Sequence, residues 1–152
     1  MKIIDILPPD SVVVKPDIQT KKEMLKALSD MAARKTGVNE RVIADALTER
    51  ERLGTTGIGR GVALPHTRLA NLKKIYCAFL KTAPVDFESV DNKPVDLAFL
   101  LLVPEDAGAD HLKALARLSR LLRDDAIAAQ MRATDDPKAL YRLIAEADGA
   151  DA

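Results

Sequence analysis

Val95-Asp96-Leu97-Ala98-Phe99-Leu100-Leu101-Leu102-Val103 is the stretch from which the fold is read. Apart from Asp96, both alternating sets of positions are apolar, so a strand formed here must be covered on both faces. The sequence on either side supplies the covering helices. Upstream, Ser11-Val12-Val13-Val14 reads as a short strand between the Pro8-Pro9-Asp10 turn and Pro16. Thr20 and Glu23 have the spacing of a capping box, and Met24, Leu25, Leu28, Met31 and Ala32 follow at helical intervals up to a stop at Gly37. Asn39 caps a second helix that buries Val42, Ile43, Ala46 and Leu47 and ends near Arg52. Residues 54–67 form a glycine-rich shaped loop running into a short strand at Val62 to His66. Ile75 to Leu80 is strand-like, with a minor strand around Val85 to Phe87 and a turn at Asp91-Asn92-Lys93-Pro94. Downstream, Asp110 is placed to cap a helix with the stripe Leu112, Leu115, Leu118 and Leu122. Asp124 caps a short helix through Ile127 and Met131, and Asp135-Asp136-Pro137 opens a last helix carrying Leu140, Tyr141 and Ile144. The expected class is α/β, a mixed sheet with helices packed on it.

At 152 residues the chain has the length of one domain, and no repeat, low-complexity tract or linker divides it. One domain over residues 1–147 with a disordered tail at 148–152 is expected. Lys and Arg total 23, as do Asp and Glu, so the net charge is zero, which argues against a nucleic-acid or anionic-membrane binder working by bulk charge. A single cysteine, Cys77, excludes an intrachain disulfide and a Cys/His zinc set. The longest apolar run, Leu97 to Val103, is far short of the roughly 20 residues of a membrane helix. Asp5, Pro8, Pro9 and Asp10 do not suit a signal peptide, and a cytoplasmic protein is expected.

The chain has two histidines, both at the ends of elements. His66 follows a strand and Pro65, which fixes the backbone direction before the ring, while Gly57, Gly59 and Gly61 permit close approach or positive φ. An imidazole with an ordinary pKa of about 6.5 is a neutral nucleophile near neutral pH and suits covalent phosphoryl carriage. A packed or solvated strand-end histidine is the competing reading. His111 falls in the first turn of the Leu112 to Leu122 helix, where an anion such as a phosphoryl group is favoured. For a lone histidine, an ordinary surface position beside a cap is the plainer account. Arg50, Arg52, Arg60, Arg68, Lys73 and Lys74 face only Glu51 in the same segment, so a neutral protein is locally positive around His66. An arginine is the better candidate to hold phosphoryl oxygens, because its fork binds them in pairs. Gly57 to Gly61 lacks the spacing of a phosphate-binding loop, and no nucleophile elbow or carboxylate pair supports hydrolysis.

Arg50-Glu51, then Thr56-Gly57-Ile58-Gly59-Arg60-Gly61-Val62-Ala63-Leu64-Pro65-His66, then Pro94-Val95-Asp96-Leu97, and His111 entering a leucine-rich helix together carry a family likeness. The chain resembles, over nearly its whole length, the enzyme IIA domains of the fructose, mannitol and nitrogen-regulatory class of the bacterial phosphotransferase system. The resemblance implies a mixed, roughly five-stranded sheet flanked by helices and a cytoplasmic phosphocarrier loaded by a histidine-containing phosphocarrier protein. It assigns His66 as phosphoryl acceptor, His111 as the second active-site histidine and Arg50 as the arginine engaging the phosphoryl group. No metal or other cofactor is expected, because the sequence offers no convincing ligand cluster. Where the family commonly has glycine and a basic residue after the acceptor, this chain has Thr67-Arg68. The branch most resembled is the nitrogen-regulatory one, whose members control other proteins through phosphorylation state, kinases and potassium transporters being the candidate targets. The alternatives are a fructose or mannitol transport component passing its phosphoryl group to a IIB partner, and a protein-binding regulatory module without phosphoryl traffic.

Overall fold

Residues Val95–Pro104 form β6, the centre of a six-stranded mixed sheet. The computed structural model describes residues 1–150. Along one side of β6 runs β5 (Tyr76–Val85), antiparallel to it; along the other run β3 (Val62–Ala63) and β4 (His66–Leu69), both parallel. The edges are β1 (Val12–Lys15), parallel to β5, and β2 (Gly57–Gly59), antiparallel to β3. The sixth strand arises because β3 and β4 keep the same register on β6, Val62 opposite Leu97 and His66 opposite Leu101, with Leu64-Pro65 interrupting them. Proline has no N–H to give to the ladder, although its carbonyl still accepts from Leu101 N–H at 2.9 Å.

Two helical layers cover the sheet, as the reading of β6 requires. Ala98, Leu100 and Leu102 pack under α1 (Lys21–Thr36) and α2 (Glu40–Arg52). Leu97, Phe99, Leu101 and Val103 pack under α3 (Asp110–Arg123), α4 (Asp125–Arg132) and α5 (Pro137–Ala150). On that second face the rings of Phe79 and Phe99 meet at 4.9 Å and 58°, a tilted pair that contributes about 1 kcal/mol beyond area burial.

Helix boundaries follow local chemistry, with corrections. Thr20 Oγ1 accepts from Glu23 N–H as expected, but the Glu23 carboxylate accepts a hydrogen bond from the Thr20 hydroxyl at 3.1 Å instead of reaching the backbone. Gly37 ends α1 at φ 76°, and Asn39 caps α2 through the N–H groups of Arg41 and Val42. Val42 is exposed, not buried; Ile43 and Leu47 carry the buried stripe. Asp110 is the first residue of α3 and not its cap. Leu112 is exposed too: the inward face begins at Ala114, about 200° further round the helix, and continues through Leu118, Leu121 and Leu122. The first strand begins at Val12 because Ser11 closes a short 3₁₀ turn, and β5 runs on to Val85 through an irregular register instead of stopping at Leu80.

The expected tail is corrected as far as the described residues reach, positions 151 and 152 lying outside them. Helix α5 continues to Ala150, and Asp148 is 4% exposed within it. Its carboxylate accepts from Ile3 N–H at 2.6 Å and pairs with Arg117 at 2.8 Å, tying the chain's beginning to α3 and α5. Removing one partner of a buried pair strands the other charge. Asp148→Ala is therefore expected to lower the unfolding free energy by about 3 kcal/mol in urea titration. A loss below about 0.5 kcal/mol, the usual size for a surface change, would show that the pair does not hold the helix.

Candidate functional site

The turn between β2 and β3 is Arg60-Gly61, with φ of 60° and 81°, the positive pair that a two-residue hairpin of the primed type demands. Gly57 is needed for a different reason: a Cβ there would lie 2.3 Å from Ser89 Oγ. This hairpin delivers the chain to Leu64-Pro65-His66. His66 therefore stands at the entrance of β4, not at the exit of a strand as the sequence suggested.

His66 Nδ1 is 2.8 Å from the Leu64 carbonyl oxygen, which can only accept, so Nδ1 carries the proton and Nε2 the lone pair. Burial holds the ring's pKa below 6.5; the bond to Leu64 works against this, Arg50 adds to it, Glu51 opposes it and His111 adds to it. The ring is thus a neutral, Nδ1-protonated imidazole at neutral pH. Thr67 lies in regular parallel pairing opposite Leu102 and is not among the positive-φ residues, so the position needs no glycine.

His66, Arg50 and His111 come together, lining a cleft of about 330 Å³ with Thr67, Arg68, Leu101, Val103 and Leu115. Arg50 reaches it from the last turn of α2 and is steadied by Nη1 donating to the Gly54 carbonyl at 2.9 Å. His111 enters from the first turn of α3, with Nδ1 2.5 Å from the Gly108 carbonyl. That bond orients the ring and places its proton on Nδ1, leaving Nε2 toward the cleft unprotonated in the neutral ring.

Two of the six clustered basic residues, Arg50 and Arg68, line this cleft. Arg52 pairs with Glu49 and Arg60 with Asp125, on other surfaces. Arg68 was not singled out by its sequence position. The usable signal is period two: once 66–69 is a strand, His66 and Arg68 share a face. Glu51, which the sequence reading names without a role, organises the loop beneath the site. Its carboxylate accepts from Thr56 N–H at 3.0 Å and from the Thr56 hydroxyl, and pairs with Lys21 Nζ at 3.0 Å. Among the described residues no group of three or more His, Cys, Asp or Glu converges as a metal site.

Comparison with known proteins gives a consistent result. Residues 5–147 match the family described as phosphoenolpyruvate-dependent sugar phosphotransferase system, EIIA 2. A nitrogen regulatory protein of Bradyrhizobium diazoefficiens is 50% identical over 146 residues, covering 95% of each chain. A fructose-specific EIIA component of Haloferax volcanii is 34% identical, again over 95% of each. The crystal structure of nitrogen regulatory protein IIA-Ntr from Neisseria meningitidis superposes with a TM-score of 0.87 at 33% identity, covering 93% of this chain and 98% of that one.

The charge arrangement around His66 has a direct readout. In an NMR titration the His66 ring is expected to protonate with a midpoint below 6.5, and Arg50→Ala to move that midpoint upward by removing a nearby cation. An unchanged or lowered midpoint in the variant would separate Arg50 from the site.

Proposed function

The chain belongs to the phosphoenolpyruvate-dependent sugar phosphotransferase system EIIA 2 family, and we propose that it is a cytoplasmic phosphocarrier. On this reading His66 accepts a phosphoryl group from a histidine-containing phosphocarrier protein, and the phosphorylation state governs which other proteins the chain binds. The observation that carries the reading is the Nδ1–H bond to Leu64, which leaves His66 Nε2 unprotonated in a cleft that also holds Arg50, Arg68 and His111.

In-line transfer asks a protein for positioning and for stabilisation of oxygen charge. His66 Nε2 attacks phosphorus; the new P–N bond forms as the bond to the donor's imidazole breaks, and the departing ring keeps the electron pair. No proton leaves Nε2, because it carries none. The positive charge developing on the His66 ring is shared with the Leu64 carbonyl through Nδ1–H. Arg50 neutralises phosphoryl oxygens, and His111 steadies the group from the start of α3.

Regulation rather than sugar transport is supported by the 50% identity to a nitrogen regulatory protein against 34% to a fructose-specific component. The transport reading stays open on that second relative, and genomic neighbourhood separates the two. Among the described residues no helix is long and apolar enough to cross a membrane.

Incubated with phosphoenolpyruvate and the upstream phosphotransferases, the chain is expected to gain one phosphoryl mass, and His66→Ala to gain none. Arg50→Ala is expected to fold normally and to load about 100-fold more slowly, as when a donor to developing oxygen charge is removed. Label on the His66→Ala protein would refute the assignment, and a wild type that is never labelled would leave a binding module without phosphoryl traffic. Loading of the wild type is also expected to be level above neutrality and to fall as pH drops through the His66 midpoint, where the lone pair is lost.

A further inference from the structure

Arg68 is two residues beyond His66 on the same face of β4, and its side chain crosses to the opposite wall of the cleft. There its Nη1 donates to the Glu105 carbonyl at 2.8 Å, in the loop that leads to α3. Its Nη2 lies 3.0 Å from Nδ1 and 3.1 Å from Nε2 of His111. A donor nearly equidistant from both ring nitrogens sits either beyond Cε1 or above the ring. At these lengths an in-plane position would collide with Cε1, so the guanidinium nitrogen lies over the imidazole face.

We propose that Arg68 is a positioning residue for phosphoryl transfer: from the strand that carries His66, it clamps the His111 ring against the Gly108 carbonyl and so sets where His111 meets the phosphoryl group. The proposal rests on His66 being the acceptor. Three contacts define the clamp. The Gly108 carbonyl at 2.5 Å fixes Nδ1, the Arg68 guanidinium lies over the ring, and the Glu105 carbonyl holds the guanidinium. Among the described residues Arg68 has no carboxylate partner, so nothing diverts it from these contacts.

The hydrogen-bond contacts of Arg68 are with the Glu105 carbonyl and the His111 ring, and none is with His66. It positions the acceptor's surroundings through His111. A lysine would not reproduce the clamp, since one ammonium lacks the planar fork that reaches a carbonyl and covers a ring at once.

The test uses the full chain loaded in single turnover by the phosphorylated histidine-containing phosphocarrier protein, read by intact mass. Arg68→Ala and Arg68→Lys are both expected to slow the loading step by up to about 100-fold, as misplaced catalytic groups do, while the KM for the donor stays put. Adding Arg68→Ala to His111→Ala should slow loading no further, because the clamp has nothing left to hold. In parallel, ring NMR of unphosphorylated Arg68→Ala should show displaced His111 signals while the His66 Nδ1–H bond persists, which also establishes that the variant folds. Wild-type rates in Arg68→Ala, an equal slowing with and without His111, or unmoved His111 signals would each overturn the proposal. A wild type that loads nowhere overturns the phosphocarrier reading itself and takes this proposal with it. A wild type that loads on His66 confines any such failure to Arg68.

Discussion

The hydrogen bond from His66 Nδ1–H depends on a Leu64 carbonyl that points away from β6: the Pro65 carbonyl accepts from Leu101 N–H on the β6 side, and Leu64 N–H donates to the Thr56 carbonyl on the other. Pro65 withholds only the N–H that would have met β6, and the chain rejoins β6 at His66 in the register it had at Ala63, while the Leu64 to Thr56 bond of 2.9 Å continues the β2 side. The kept register matters in turn. It puts His66 and Arg68 beside Leu101 and Val103 on the face where α3 packs, within reach of His111.

Electrostatics at the site follow from which charges are already committed. Glu51 neighbours Arg50 in sequence and would be its natural neutraliser, yet its carboxylate is occupied by Thr56 and by Lys21, whose ammonium also lies 4.6 Å above the Phe87 ring. Among the described residues neither Arg50 nor Arg68 is paired with a carboxylate. A chain of zero net charge thus presents two guanidinium groups without carboxylate partners around an imidazole that burial favours in its neutral form. Bulk composition conceals this polarity, because the compensating acids are spent elsewhere.

The parts of the fold legible in the sequence were those governed by local rules. The doubly apolar β6, the Gly37 stop and the Asn39 cap each encode their structure within a few residues. Leu112 and Val42 misled because a leucine or valine at roughly helical spacing looks inward until a neighbour such as Ala114, small but buried, reveals the true phase. Asp148 misled for a different reason. In a polar terminal stretch it looks solvated, and only the fold shows that Ile3 N–H and Arg117 converge on it. At the site, His66 and His111 stood out through residue type and position and Arg50 through the family likeness, whereas Arg68 and Glu51 had no assigned role until β4 and the loop at 53–56 gave them direction.

The same distinction bears on how the cleft is built. Its three reaching groups come from three separate elements: the end of α2, the start of α3 and the face of β4. Each is steadied by a backbone carbonyl close to its own position or to its neighbour's: Gly54 for Arg50, Gly108 for His111 and Glu105 for Arg68. Carbonyl acceptors orient N–H groups without cancelling their charge, as a carboxylate would. On the proposed phosphocarrier reading that choice matters most at Arg50, whose charge is held in place and still unneutralised when the phosphoryl group arrives.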